Sequence, residues 1–232
     1  MESANVVGYT SASCDAAKWY LIGVQFQDIT TQAFDLQDFV EIKENVAGTD
    51  DADSPNLKLW NGNGYTDYYY IQEDLDGNQN CWADDSAMFI ADGVTVSTGT
   101  GAFFKSPASA CTITVAGQVA AASSMNVPLV SGKFNLIANP YPVALDLNGT
   151  QVAWVDALLA GTDDSNSPNI KVWKGNGYTD YFFIEEDLDG NQNCWADDSA
   201  MFIAENAIVN PFSGFWLKYS NNDQNVNLTF SK

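Results

Sequence analysis

No histidine occurs anywhere in the 232 residues. That removes the commonest general base and the commonest zinc ligand. Basic residues are scarce as well, nine against thirty acidic ones, for a formal net charge of −21. Phosphate binding needs a positive surface, so nucleic acid is excluded as a partner, and anionic membrane surfaces with it. No apolar run reaches the length of a membrane-spanning helix. Neither a Gly-x-Ser-x-Gly elbow nor a phosphate-cradling glycine loop appears. A recognisable secretion signal is missing too, and the opening Met1-Glu2-Ser3-Ala4 reads as a start placed where such a signal has been removed.

What is present is a repetition. Residues 73–91, EDLDGNQNCWADDSAMFIA, return letter for letter at 186–204. The flanks echo each other more loosely: Ser54–Trp60 returns as Ser167–Trp173, and Asn63–Tyr68 as Asn176–Tyr181. The chain therefore divides into two modules, 1–118 and 119–232, each long enough to enclose a core. Residues 119–124 hold neither proline nor glycine, so the modules are expected to abut with little linker.

Within each module the pattern is that of short strands. Residues 5–13 open as one, and Lys18–Phe26 is β-branched and aromatic. Leu57–Trp60 and Tyr65–Ile71 flank Asn61-Gly62-Asn63-Gly64, a turn rich in residues that accept positive φ. Ala87–Ile90, Val94–Val96, Ala102–Lys105 and Cys111–Val115 also read as strands. Apolar spacing of three and four predicts one or two helical turns over Leu36–Ile42, answered by Gln151–Leu159. The β-α-β alternation of a doubly wound sheet is absent. The expected fold is all-β: two tandem pseudo-symmetric antiparallel β-sandwich or barrel-like modules, each with one short helix.

The stretch Phe134-Asn135-Leu136-Ile137-Ala138-Asn139-Pro140-Tyr141-Pro142, followed by Ile170–Tyr178 and Ser213-Gly214-Phe215-Trp216, resembles the W-N-L-I-G-N-P-Y-P-type repeats of modular bacterial secreted and surface β-sandwich proteins. In the first module Trp19–Gly23 fits the motif, but Val24-Gln25-Phe26 replaces its N-P-Y part. The resemblance implies an extracellular β module and assigns no activity to any residue.

The repeated acidic block is the first candidate for chemistry. Asp74, Asp76, Asn78, Asn80 and Asp85, with Asp187, Asp189, Asn191, Asn193 and Asp198 in the second copy, offer the oxygen ligands that calcium takes. The spacing departs from an EF-hand, with Gln79 where glycine belongs and Asp85 where a bidentate glutamate is usual. The competing reading is a pair of turns in which Asp and Asn bond their own backbone. Trp82 and Trp195, with Tyr68 and Tyr181, are the candidates for stacking on a sugar, and the competing reading is ordinary core. Four cysteines allow three pairings. Cys14 and Cys111 occur only in the first module, which suggests a Cys14–Cys111 pair, with Cys81–Cys194 as a clasp between the equivalent loops.

Paired carboxylates are the one hydrolytic arrangement still available, and here they read as a cation loop, so no enzyme is expected. The chain is expected to be a secreted or cell-surface binding or adhesion protein. It would carry calcium-stabilised acidic loops and bind a surface glycan or protein partner. The alternative is a self-assembling subunit of a surface layer or filament.

Overall fold

The computed structural model describes residues 7–28, 33–43, 46–219 and 224–232. Met1–Ala4, and Asn5 and Val6 of the first predicted strand, lie outside the described residues. The first half contains β1 (Val7–Cys14), β2 (Trp19–Gly23), β3 (Ala33–Asp35), one helical turn α1 (Leu36–Phe39), β4 (Glu41–Ile42), β5 (Asn56–Trp60), β6 (Tyr65–Glu73), β7 (Gln79–Ala83), β8 (Thr95–Ser97), β9 (Gly101–Lys105) and β10 (Cys111–Gln118). The second half contains β11 (Ser124–Leu129), β12 (Phe134–Ala138), β13 (Leu145–Asp146), α2 (Trp154–Ala157), β14 (Asn169–Trp173), β15 (Tyr178–Glu186), β16 (Gln192–Ala196), β17 (Ile208–Val209), β18 (Gly214–Lys218) and β19 (Val226–Ser231).

The chain is all-β and sandwich-like. Each half has one five-stranded antiparallel sheet, ordered β2-β9-β5-β6-β7 in the first and β12-β18-β14-β15-β16 in the second. Smaller sheets, β1-β10-β4 and β3-β8, then β11-β19 and β13-β17, cover one face of each. Between them lie the cores: Leu57, Phe104, Ile113 and Val115 in the first half, Ile170, Phe215, Leu228 and Phe230 in the second.

Local chemistry explains most of the elements. The predicted hairpin forms with Leu57 opposite Tyr68 and Trp60 opposite Tyr65. Its turn is closed by Asn61, whose side chain accepts from the N–H groups of Asn63 and Gly64, while Gly62 takes φ 93°. The helices are shorter than the apolar spacing suggests. Asp35 caps α1 by accepting from the Gln37 N–H, but Val40 is already extended, and Ile42 pairs with Ile113 in the sheet. The strand expected at Ala87–Ile90 is instead a turn with Ala87 at φ 54°, joined to the sheet by an Ala83–Ile90 bridge and by the packing of Ala87 and Ile90 on Ile71, Cys81 and Ala83.

The halves meet edge to edge, along β2 and β12. Ile22 bridges Ser213, and Thr100 bridges Ile137. Ile137 is the counterpart of Ile22 and Ser213 of Thr100, so the contact is nearly twofold-symmetric. The Gly23 N–H donates to the Phe212 carbonyl (3.0 Å) and the Ala138 N–H to the Gly99 carbonyl (2.8 Å), again an equivalent pair. A Cβ on Gly23 would stand 2.5 Å from that of Ala138, and one on Gly214 would stand 2.9 Å from the Ile22 carbonyl. Only glycine allows backbones this close. Phe212 breaks the symmetry. It sits at φ 64° where its counterpart Gly99 sits at φ 86°, and its ring is buried in the core of the first half.

Phe212→Ala should therefore destabilise the whole chain by about 3–5 kcal/mol, the usual cost of emptying a buried phenylalanine site. Urea denaturation measures it, and a cost below about 1 kcal/mol would show that the ring does not join the halves.

Candidate functional site

The acidic blocks close on themselves. Between β6 and β7, the Asp74 carboxylate accepts from the N–H groups of Asp76 (3.0 Å), Asn78 (2.8 Å) and Ile90 (2.9 Å), and from the Asn78 amide (2.8 Å). Asp187 repeats this with Asp189, Asn191 and Ile203 at 3.0, 2.8 and 2.8 Å, and with the Asn191 amide at 2.8 Å. Gly77 and Gly190 supply φ 86° and 85° for the bend, and Asn80 and Asn193 take φ 49° and 50° as the next strands begin. Both aspartates are buried. The Asn78 and Asn191 amides, followed by the backbone donors, hold their carboxyls below the usual range despite the opposing effect of burial.

The ten candidate calcium ligands are thus split. Asp74 and Asp187 turn inward onto N–H donors, while Asp76, Asn78, Asn80, Asp85, Asp189, Asn191, Asn193 and Asp198 are exposed. Among the described residues, no three acidic or thiol side chains converge as a metal-holding group.

The aromatic candidates require correction. Trp82 and Trp195 are 1% and 0% exposed, and Tyr68 and Tyr181 are each 9% exposed. All four belong to the cores. The polar loop ends sooner than its composition suggests, so Cys81 and Trp82 already stand in β7, where Trp82 pairs with Tyr70 and faces inward. Trp82 packs against Tyr70 (5.4 Å between ring centres), and Trp195 lies between Trp154 (5.0 Å) and Phe183 (5.2 Å). Gln37 clamps the Trp82 backbone at both N–H and carbonyl, and Asn148 does the same for Trp195.

The cysteines divide similarly. Cys14 and Cys111 are direct partners across β1 and β10, as the pairing argument expects, but no disulfide is closed among the described residues. Cys81 and Cys194 are buried in separate clusters, and burial pushes both thiols up. They do not form the expected clasp. Each lies in the edge strand opposite the seam, four strand spacings of about 4.8 Å away.

The seam itself gathers side chains that the sequence reading passed over. Leu21, Phe103, Leu136 and Trp216 are buried there, with Trp19, Trp60, Phe134 and Trp173 half-buried around them. Every member has a counterpart in the other half. The Trp60 indole donates to the Phe134 carbonyl (2.8 Å) and the Trp173 indole to the Trp19 carbonyl (3.1 Å), each crossing between halves. Trp60 meets Trp216 edge-on at 5.2 Å, and Phe103 meets Trp173 at 6.3 Å.

Two grooves flank this cluster. One, of about 280 Å³, is lined by Trp19, Lys58, Tyr65, Phe103, Trp173 and Tyr178. The other, of about 460 Å³, is lined by the counterparts Phe134, Lys171, Tyr178, Trp216, Trp60 and Tyr65. Tyr65 and Tyr178, 39% and 42% exposed, belong to both. Burial, and then the neighbouring Tyr178, push the Tyr65 hydroxyl up to about 12. The signal that points to this surface is recurrence on the non-core face: Trp60 with Trp173 and Tyr65 with Tyr178 keep both identity and position.

The pH dependence of stability follows from the inward aspartates. Their folded pKa values are depressed, so their contribution is present above the unfolded value of about 3.9 and is lost as pH falls through the lower folded value. The melting temperature should drop steeply below about pH 4, and less steeply in an Asp74→Asn, Asp187→Asn variant. Equal slopes in thermal melts of the two proteins would contradict this.

Comparison with protein-family models, with curated proteins and with solved structures gives no match to this chain.

Proposed function

We propose that the chain is a secreted or cell-surface, non-catalytic binding protein that holds a carbohydrate against the seam between its halves. The observation that carries this reading is the pair of symmetry-related aromatic grooves sharing Tyr65 and Tyr178. Small-ligand sites are typically apolar concavities with a few placed polar groups. Here indole and phenol faces suit the C–H face of a sugar ring. The Tyr65 and Tyr178 hydroxyls and the ammonium groups of Lys58 and Lys171 suit its hydroxyls. The grooves are half-open, which fits a chain laid along a surface better than an enclosed small molecule. The absence of histidine weighs against proton-transfer catalysis at this place.

A second reading, self-assembly into a surface layer or filament, has its own support. Leu75, Met88 and Phe89 stand 70%, 50% and 45% exposed beside the first acidic loop, and Leu188, Met201 and Phe202 repeat them at 71%, 51% and 45%. The Leu75 N–H bonds the Met88 carbonyl, which fixes these residues as one tip. Calcium belongs to this reading as the counter-ion that would let two acidic tips approach.

A glycan array separates the two readings. The binding reading expects one or more glycans to be retained, and a Tyr65→Ala, Tyr178→Ala variant to weaken that binding at least about tenfold, or 1.4 kcal/mol. Unchanged binding by the variant overturns it. The assembly reading expects light scattering to rise with protein and calcium concentration, and not to rise in Phe89→Ser, Phe202→Ser.

A further inference from the structure

The nine basic residues of this chain are all lysines, and four of them stand on the sheet faces that form the seam. Lys58 and Lys105 on β5 and β9 are matched by Lys171 and Lys218 on β14 and β18. Lys105 is the register partner of Trp19, as Lys218 is of Phe134. The Lys58 and Lys105 ammonium groups lie 5.5 and 5.9 Å from the Trp19 ring centre, and that of Lys218 lies 5.4 Å from the Phe134 ring centre. Lys58 and Lys171 are ion-paired with their cross-strand partners Asp67 and Asp180. The grooves themselves are lined by the paired Lys58 and Lys171, while Lys105 and Lys218, which form no ion pair among the described residues, stand beside them at the Trp19 and Phe134 rings that wall each groove.

We infer that the seam selects an acidic saccharide, one bearing uronate carboxylates, over its neutral counterpart. This rests on the carbohydrate reading above and adds the ligand's charge to it. A ring seated on Trp19 or Phe134 places a carboxylate within reach of an ammonium group already held at that ring. Charge-assisted bonds of this kind are about twice as strong as neutral ones. The net charge of −21 does not defeat the contact. The acidic blocks join β6 to β7 and β15 to β16, two to three strand spacings of about 4.8 Å from β9 and β18. Of the nearer carboxylates, Asp67 and Asp180 are already paired with Lys58 and Lys171, while Asp164 lines the recess that Lys218 shares. At physiological salt, interactions between exposed charges are screened over about 8 Å. Two equivalent grooves with a shared floor would engage successive residues of one polymer rather than two separate ligands.

The test uses matched pairs of oligosaccharides: polygalacturonate, alginate and hyaluronan fragments, each beside its carboxyl-reduced form, with neutral glycans and polyglutamate as further probes. Titration calorimetry on the full chain at 0.15 M salt should find an acidic member bound at least about tenfold tighter than its reduced form. Lys105→Gln with Lys218→Gln should bring that acidic member down to the reduced form's affinity and leave the reduced form unchanged. Tyr65→Ala with Tyr178→Ala should weaken both. Equal affinity within the pairs, or binding confined to neutral glycans, overturns the charge selection and leaves the carbohydrate reading standing. Binding of polyglutamate without any glycan, or of none of the probes, overturns both.

Discussion

The structure depends on a backbone-to-backbone approach at the seam. Gly23, Gly101 and Gly214 remove the side chains that would hold the two sheets apart, and two N–H···O bonds close the gap. Once the edges are that near, the large residues two and four positions along these strands, and those beside them on β5 and β14, must meet. Trp19, Phe103, Trp60 and their counterparts fill the angle between the sheets. The indole N–H groups of Trp60 and Trp173, which need acceptors as they lose water, find carbonyl groups of the opposite half. The arrangement is that of an isologous dimer interface built within one chain. Phe212 departs from the symmetry by placing one half's ring in the other's core.

The identical 19-residue blocks look different in this light. Nearly every position in them answers to a local requirement: Asp74 for four donors, Gly77 and Asn80 for positive φ, Cys81 and Trp82 for the core. Five carboxylates crowded into thirteen residues read as a site that needs a cation. The loop instead employs its innermost carboxylate as an acceptor for its own backbone and turns most of the others to water. Leu75, Met88 and Phe89 are the members of the block that no local requirement explains.

Much of the fold was legible in the sequence. Alternation, Asn-Gly turns and the internal repeat identify strands, hairpins and two matching halves, because each is a short-range signal. The site was legible only in part. Tyr65 and Tyr178 stand out as recurring aromatics, but Trp19-Tyr20-Leu21-Ile22-Gly23 is apolar on both faces, so periodicity does not reveal that one face packs on a core and the other on a second sheet. Trp82 misleads for the opposite reason. The loop that leads into it is polar, while its neighbours in space are fixed by a ladder with Tyr70, twelve residues earlier. A helical spacing over Leu36–Ile42 likewise yields to the pairing of Ile42 with Ile113, which lies far along the chain.

The seam can be examined without any ligand, at the two amides that cross it. Native-state hydrogen exchange at Gly23 and Ala138 reports whether the halves separate before they unfold. If the seam organises the molecule, these amides exchange only through global unfolding, with the same free energy as those of the central strands β5 and β14. Exchange orders of magnitude faster than the central strands would mean that the halves part freely, and would contradict a binding surface built between them.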